Sequence, residues 1–272
     1  MNESPNKLFP PKVRLVDCHN HLQNPRFDQH RDGLISEMRK VGIHQCVVNG
    51  TTESDWPKVK GLAQDHPDLI IPSYGLHPWY LDQRSDHWLN TLVGLLKESP
   101  TAAIGECGLD RWIKDHDIDL QLPIFKQHLD LAVHFDRPIT IHCLKAWGNL
   151  LTIFKESTVL PTRLLLHSYS GSLETARELL KLGAHFSFSG HFLHSRKAKV
   201  REIFHQFPPD RILVETDAPG MSPPSQNYQL EDLNHPANLP EIVAQCSQVL
   251  NIPVEQFAQN SRNFFNIASS QK

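Results

Sequence analysis

Histidine and carboxylate side chains in this sequence fall at spacings that could hold a divalent cation. Asp17-Cys18-His19-Asn20-His21 sets two imidazoles two residues apart. In an extended strand, that puts Asp17, His19 and His21 on one face and Cys18 and Asn20 on the other. Two imidazoles on one face can bind one metal ion, and a nearby carboxylate can orient them. With 17 His in 272 residues, roughly one His-x-His is expected by chance, so the motif alone has little specificity. Recurrence gives it weight, because His77, Glu106, His142, His167 and Asp217 each follow a short apolar run, as His19 and His21 do.

Those apolar runs are the elements that must position the chemistry. The sequence predicts strands at 14–19, 45–51, 69–76, 102–106, 138–142, 163–167, 185–189 and 211–217. Between them lie apolar residues at helical spacing: Leu34, Met38 and Val41 closed by Gly42; Trp88, Leu92 and Leu96; Leu122, Phe125 and Leu129. Leu150 and Phe154, then Ala176 and Leu179 closed by Gly183, then Val200, Ile203 and Phe204 continue the pattern. Eight strands at a mean spacing of about 28 residues, each followed by a helix, predict an α/β fold, a single (β/α)8 TIM barrel. An open doubly wound sheet is the structural competitor. A barrel gathers the C-terminal ends of its strands on one face, so residues remote in sequence could meet there. Residues 218–240, rich in Pro, Ser and Asn, read as a long loop over the last strand, and helices at 240–250 and 253–258 close the chain.

Taken singly, a strand-end His is more often a hydrogen-bonded, half-buried residue, and a carboxylate there is more often a cap. Four His and two carboxylates gathered at strand ends are costly to bury without a cation, which favours a metal site. The net charge of −3 gives no global attraction to nucleic acid or to a membrane surface, so a polyanionic substrate would need local groups or metal to hold it. Hydrophobic content of 39% and charged content of 21% fit a globular protein with a large core. No apolar run reaches the roughly 20 residues of a membrane span, and Met1–Lys12 is polar and Pro-rich with no apolar signal core. An odd five Cys argues against a disulfide framework and for a reducing compartment, hence a cytoplasmic location. Cys18, Cys107 and Cys143, each beside a candidate ligand, read as buried packing residues. Residues 1–12 are expected to be a flexible segment and 13–272 one domain.

Several motifs carry a family resemblance. Asp17-x-His19-x-His21, Gly75-Leu-His77-Pro78, Gly105-Glu106-Cys-Gly108-Leu109-Asp110, Ile141-His142, His167-Ser-Tyr-Ser170-Gly171, Glu215-Thr216-Asp217-Ala218-Pro219 and Pro236-Ala237-Asn238-Leu239-Pro240 resemble the TatD-type metal-dependent hydrolases. Asn260, Phe264 and Phe265 are similar to that family's closing helix, so the likeness spans about residues 13–267. The resemblance implies a barrel of the amidohydrolase-like superfamily with a binuclear site and, among its members, deoxyribonucleases. It implies that His19, His21 and Asp217 hold one ion, Glu106 bridges, and His142 and His167 hold the second. Mixed N and O ligands suit Zn²⁺ or Mn²⁺, and Mg²⁺ less comfortably. Asp217 would also take the proton of the attacking water, and His77 would steady a phosphate or leaving group unless it only packs against Pro78. Glu215 would orient a ligand His or lie in a barrel layer.

This chain departs from the family pattern at three places. His142-Cys143-Leu144-Lys145-Ala146 stands where the family usually has His-Ser-Arg, Leu233-Asn234-His235-Pro236 where it has Arg-Asn-Glu-Pro, and Trp79 where a His often follows. Two arginines suited to phosphate are therefore absent. Lys145 is the candidate substitute, and the run His191, Arg196, Lys197, Lys199 and Arg201 forms either a basic rim or a solvated helix face. Trp79 and Trp112 could stack on bases or simply pack a loop. The expected function is exonuclease-type hydrolysis of single-stranded or end-frayed DNA, with no obligate protein partner. A second reading keeps the site and hydrolyses a carboxylic ester, lactone or aminoacyl bond; a third is a metal-holding scaffold without turnover.

Overall fold

The computed structural model describes residues 13–115 and 117–267. The expected flexible segment, residues 1–12, lies outside them. Eight strands form one sheet in chain order, the (β/α)8 order expected: β1 Leu15–Asn20, β2 Ile43–Asn49, β3 Ile70–Tyr74, β4 Ala103–Asp110, β5 Ile139–Leu144, β6 Leu164–Leu166, β7 His185–Ser189 and β8 Ile212–Glu215. Helices alternate with them: α1 Arg31–Lys40, α2 Trp56–Asp65, α3 Trp88–Glu98, α4 Ile118–His134, α5 Trp147–Glu156, α6 Leu173–Lys181 and α7 Ala198–Phe204, then α8 Leu239–Leu250 and α9 Val254–Phe264. The chain packs as two compact units. One holds the chain up to Val48, His66–Ile70 and everything from Ser187 onward; the other holds Asn49–Asp65 and Ile71–Phe186.

In the first unit, β1 pairs in parallel with β2 and β8 returns to β1. The Asp217 amide donates to the His19 carbonyl at 2.9 Å and the His21 amide to the Ala218 carbonyl at 2.8 Å. Strict alternation fails at the end of β1, where the pairing with β2 shifts register between Asp17 and Asn20. Asn20, expected on the opposite face, donates its amide to Asp17 Oδ2 at 3.1 Å. The expected loop after β8 contains a short hairpin, β9 Gln229–Leu230 with β10 Leu233–Asn234. Pro240 lies in the first turn of α8, where its missing N–H costs nothing. The buried Asn260 of α9 donates to the Pro209 and Ile212 carbonyls at 2.7 and 2.8 Å, fastening the closing helix to the start of β8.

In the second unit, β3 to β6 pair in parallel with their neighbours. The strand expected at 102–106 runs on to Asp110, every residue of it buried, so Glu106 sits within β4 and not at its end. A register shift between Ile104 and Cys107 marks an extra residue on β4 relative to β5, a bulge that re-aims the following side chains. Gly108 (φ +148°) follows it, and a Cβ there would lie 1.9 Å from the His142 carbonyl oxygen. Helix α2 has weak sequence signals, with Pro57 and Gly61 inside it; its buried Trp56 donates Nε1 to the Gly75 carbonyl at 3.0 Å. Leu92 and Leu96 of α3 are fully buried, each contributing about 1.5–3 kcal/mol of transfer energy. All five cysteines are free and buried, Cys18, Cys107 and Cys143 among them as expected of packing residues.

Candidate metal centre

Among the described residues, each of the two units gathers candidate ligands at or near the C-terminal ends of its strands. In the first unit, β1 supplies the buried His19 and the His just beyond its end, and the turn after β8 supplies Asp217 with a left-handed backbone (φ +52°). His19 Nε2 and His21 Nε2 lie 3.2 Å apart, and they stand 3.6 and 3.4 Å from Asp217 Oδ1. Donor atoms at the corners of a tetrahedron with bonds of about 2.0–2.1 Å are separated by about 3.3–3.4 Å, so these three atoms fit the edges of a Zn-like coordination shell. Asp17, the carboxylate expected to orient these imidazoles, accepts instead from the Thr216 amide, the Thr216 hydroxyl and Asn20. Glu215 is buried against Ser187 and Cys18, accepting from Ser187 Oγ at 2.5 Å, as a barrel-layer residue would.

In the second unit, three imidazoles converge on one carboxylate oxygen. Glu106 Oε1 lies 3.2 Å from His77 Nε2, 3.0 Å from His142 Nδ1 and 2.8 Å from His167 Nε2. His142 Nδ1 and His167 Nε2 are 3.3 Å apart, again a coordination edge. Burial opposes ionisation of Glu106, and the His77, His142 and His167 imidazoles around it overcome that, holding the carboxyl well below its ordinary range. His167 follows β6 directly, and the left-handed Ser168 (φ +41°) turns the chain after it.

His77 does more than pack against Pro78. Its Nδ1 accepts the Trp79 amide at 3.1 Å, which leaves the proton on Nε2. That nitrogen faces Glu106 as a donor, the form that suits a developing oxyanion better than a metal. His142 is gripped on both sides: Nδ1 faces Glu106, and Nε2 meets Asp110 Oδ2 at 2.8 Å. Burial would raise Asp110, and the hydrogen bonds from His142 and Trp79 outweigh it, holding the carboxyl at about 2. Asp110 closes the Gly105–Asp110 motif, but no local spacing marks it as a partner of His142, which only the pairing of β4 with β5 brings beside it.

The expected substrate residues stand together. Trp79 is 43% exposed and Trp112 61%, and Lys145 Nζ sits 3.8 Å above the Trp112 ring. The basic run divides. Arg201 donates to the Phe192 and His194 carbonyls at 2.6 and 2.7 Å and so holds its own loop, while Arg196 and Lys199 face solvent. His191 is pushed down to about 4 by burial and by the neighbouring Lys197, His194 and Arg196 charges. Leu233, where the family has Arg, is buried.

A (β/α)8 fold carrying clustered His, Glu and Asp ligands defines a metal-dependent hydrolase. The chain belongs to the TatD related DNase family, whose model matches residues 16–267. The uncharacterized metal-dependent hydrolase YjjV of Escherichia coli K12 is 28% identical over 260 residues, covering 93% of this chain and 98% of that protein. A 3'-5' ssDNA/RNA exonuclease TatD of Erwinia tasmaniensis is 29% identical, covering 93% of this chain and all of that protein (100%). The crystal structure of the E. coli YjjV protein matches with a TM-score of 0.85 at 27% identity, covering 94% of this chain and 99% of that one. Among the described residues, no helix is long and apolar enough to cross a membrane.

Proposed function

We propose that this protein is an exonuclease that hydrolyses the phosphodiester bonds of single-stranded or end-frayed DNA, using two divalent ions of Zn²⁺, Mn²⁺ or Mg²⁺. His19, His21 and Asp217 would hold one ion and His142 and His167 the other, with Glu106 available to both. The observation that carries this reading is the convergence of His77, His142 and His167 on a single oxygen of buried Glu106. Bound divalent ions lower the pKa of water and neutralise charge on phosphoryl oxygens. Asp217, half-buried beside two imidazoles, accepts the proton of the attacking water. His77 offers its Nε2 proton to the phosphate or the leaving oxygen. Trp79 and Trp112 stack on the terminal bases, and Lys145 stands beside them in place of the missing arginines.

The relative named as an ssDNA/RNA exonuclease supports testing both nucleic acids. Protein loaded separately with Mg²⁺, Mn²⁺ or Zn²⁺ is expected to shorten a 5'-labelled single-stranded oligonucleotide stepwise, and His142→Ala to stop it. No shortening of DNA or RNA with any of the three ions overturns the reading. The buried Leu233 at the family's Arg position favours a second reading, in which the same centre hydrolyses a carboxylic ester, lactone or aminoacyl bond. Turnover of an ester panel by protein inert on oligonucleotides would select it. Metal-replete protein inert on both panels would select the scaffold reading.

A further inference from the structure

Asp110, at the end of β4, is buried, and both of its oxygens carry two donors. Oδ2 accepts from His142 Nε2 and from Trp79 Nε1, each at 2.8 Å. Oδ1 accepts the backbone amides of Trp112 and Ile113 at 2.5 and 3.0 Å. The residue's own backbone is clamped by buried Gln121, which accepts the Asp110 amide at 2.7 Å and donates to the Asp110 carbonyl at 2.9 Å. Three of the four donors on the carboxylate are an indole and two backbone N–H groups, which can never become acceptors.

We propose that Asp110 is a positioning residue with two outputs: it selects which nitrogen His142 offers toward Glu106, and it seats the exposed Trp79 and Trp112. The inference rests on the reading of His142 as a metal ligand. A neutral imidazole has one N–H and one lone pair. With its Nε2 proton donated to Asp110, the neutral form of His142 that binds a metal has its lone pair on Nδ1, the atom 3.0 Å from Glu106 and 3.3 Å from His167. The other tautomer would aim a proton at the ion. The same oxygen anchors the Trp79 indole, whose ring lies edge-on to His77 with centroids 5.0 Å apart. The other oxygen fixes the turn that carries Trp112. One carboxylate therefore joins the ligand shell to the aromatic surface that faces solvent.

Asp110→Asn tests this with little change of volume. The amide oxygen must stay opposite the two backbone amides, so the NH₂ group falls opposite the Trp79 indole N–H and His142 Nε2. His142 is then forced to accept at Nε2 and to carry its proton on Nδ1. Chelator competition is expected to show Zn²⁺ affinity falling about 10–100-fold, the usual effect of losing a partner of a ligating His. Nitrogen-detected NMR of the metal-free protein is expected to show a proton on His142 Nε2 in the wild type and none there in D110N. The double variant with Trp79→Phe relieves the indole clash and not the tautomer, so the affinity loss should persist in it.

Wild-type affinity in D110N, or a proton that persists on His142 Nε2, overturns the inference, as does an affinity loss that vanishes in the double variant. His142→Ala separates this from the parent reading. If H142A binds Zn²⁺ normally, both fall; if H142A is impaired and D110N is not, only the positioning role falls. Should D110N fail to fold, Asp110→Ala with added formate serves instead. Reduced Zn²⁺ affinity that formate restores supports the role, and either wild-type affinity or a loss that formate leaves unchanged overturns it.

Discussion

Asp17 holds Thr216 across 199 positions of sequence, taking its backbone amide at 2.9 Å and its hydroxyl at 2.6 Å. Both residues are fully buried. The contact ties the last strand to the first, immediately beside His19 and Asp217, and so fixes the spacing of that cluster. Thr216→Val keeps the shape and removes one donor from a buried carboxylate, a change expected to cost about 1–3 kcal/mol. Urea denaturation of metal-free protein checks it, and an unchanged midpoint would show that the pair contributes nothing.

Gly108 is the position on β4 that can least tolerate a side chain. Its φ of +148° is closed to other residues, and a Cβ would collide with the carbonyl of His142 on β5. Gly108→Ala should therefore destabilise by about 3 kcal/mol or more and, by displacing His142, weaken metal binding as well. Thermal melting and chelator competition on purified G108A read the two effects, and near-wild-type values in both would refute the prediction.

Removing metal should lower stability by mass action, since the ligand clusters exist only in the folded chain. An ion held at a hundredfold excess over its dissociation constant adds about 2.7 kcal/mol. Melting temperatures with and without chelator should differ by several degrees, and His21→Ala, with one ligand fewer, should narrow the gap. A gap of zero in the wild type would contradict the metal assignment.

His128 makes the fold acid-sensitive. It is fully buried on α4; its Nδ1 donates to the Ile124 carbonyl at 2.8 Å, and its Nε2 accepts the Leu76 amide at 3.2 Å. Burial, partly offset by the Ile124 hydrogen bond, lowers its pKa to about 4 from 6.5. Above pH 6.5 the group is neutral in both states and its stabilisation is fully present. As pH falls from 6.5 toward 4 the unfolded chain gains a proton that the folded chain refuses, and stability is lost through that window. The loss expected between pH 7.5 and 5 is about 2 kcal/mol. His235, pushed down to about 4 mainly by burial, acts in the same direction. Urea midpoints at the two pH values should diverge less in His128→Gln than in wild type; equal divergence would acquit His128.

The exposed tryptophans should matter to substrate and not to metal. Trp112→Ala loses one stacking surface, worth about 1–3 kcal/mol per base. It should raise KM for a single-stranded oligonucleotide several-fold or more, with Zn²⁺ affinity unchanged. An unaltered KM would leave Trp112 a loop residue.

Much of this protein was set by the order of its residues. Strand β7 occupies the predicted residues 185–189 without a shift, and the alternation of strand and helix gives the barrel order, because apolar period and helix-closing glycines are local properties. The candidate ligands His19, His21, Glu106, His142, His167 and Asp217 were legible for the same reason. Helix α2 was not, since Pro57 and Gly61 blur its period. The extension of β4 to Asp110 was also hidden, because pairing with β5 decides it.

Tertiary structure alone settled how each group is used. Asp110 meets His142 across 32 residues, and Asp17 turns from the imidazoles to Thr216 across 199. A carboxylate's partner depends on strand register and on bulges accurate to one residue, and a hydrogen bond needs its atoms placed within a few tenths of an ångström. Composition and spacing fix which groups are present; packing between distant strands fixes which nitrogen or oxygen each one presents.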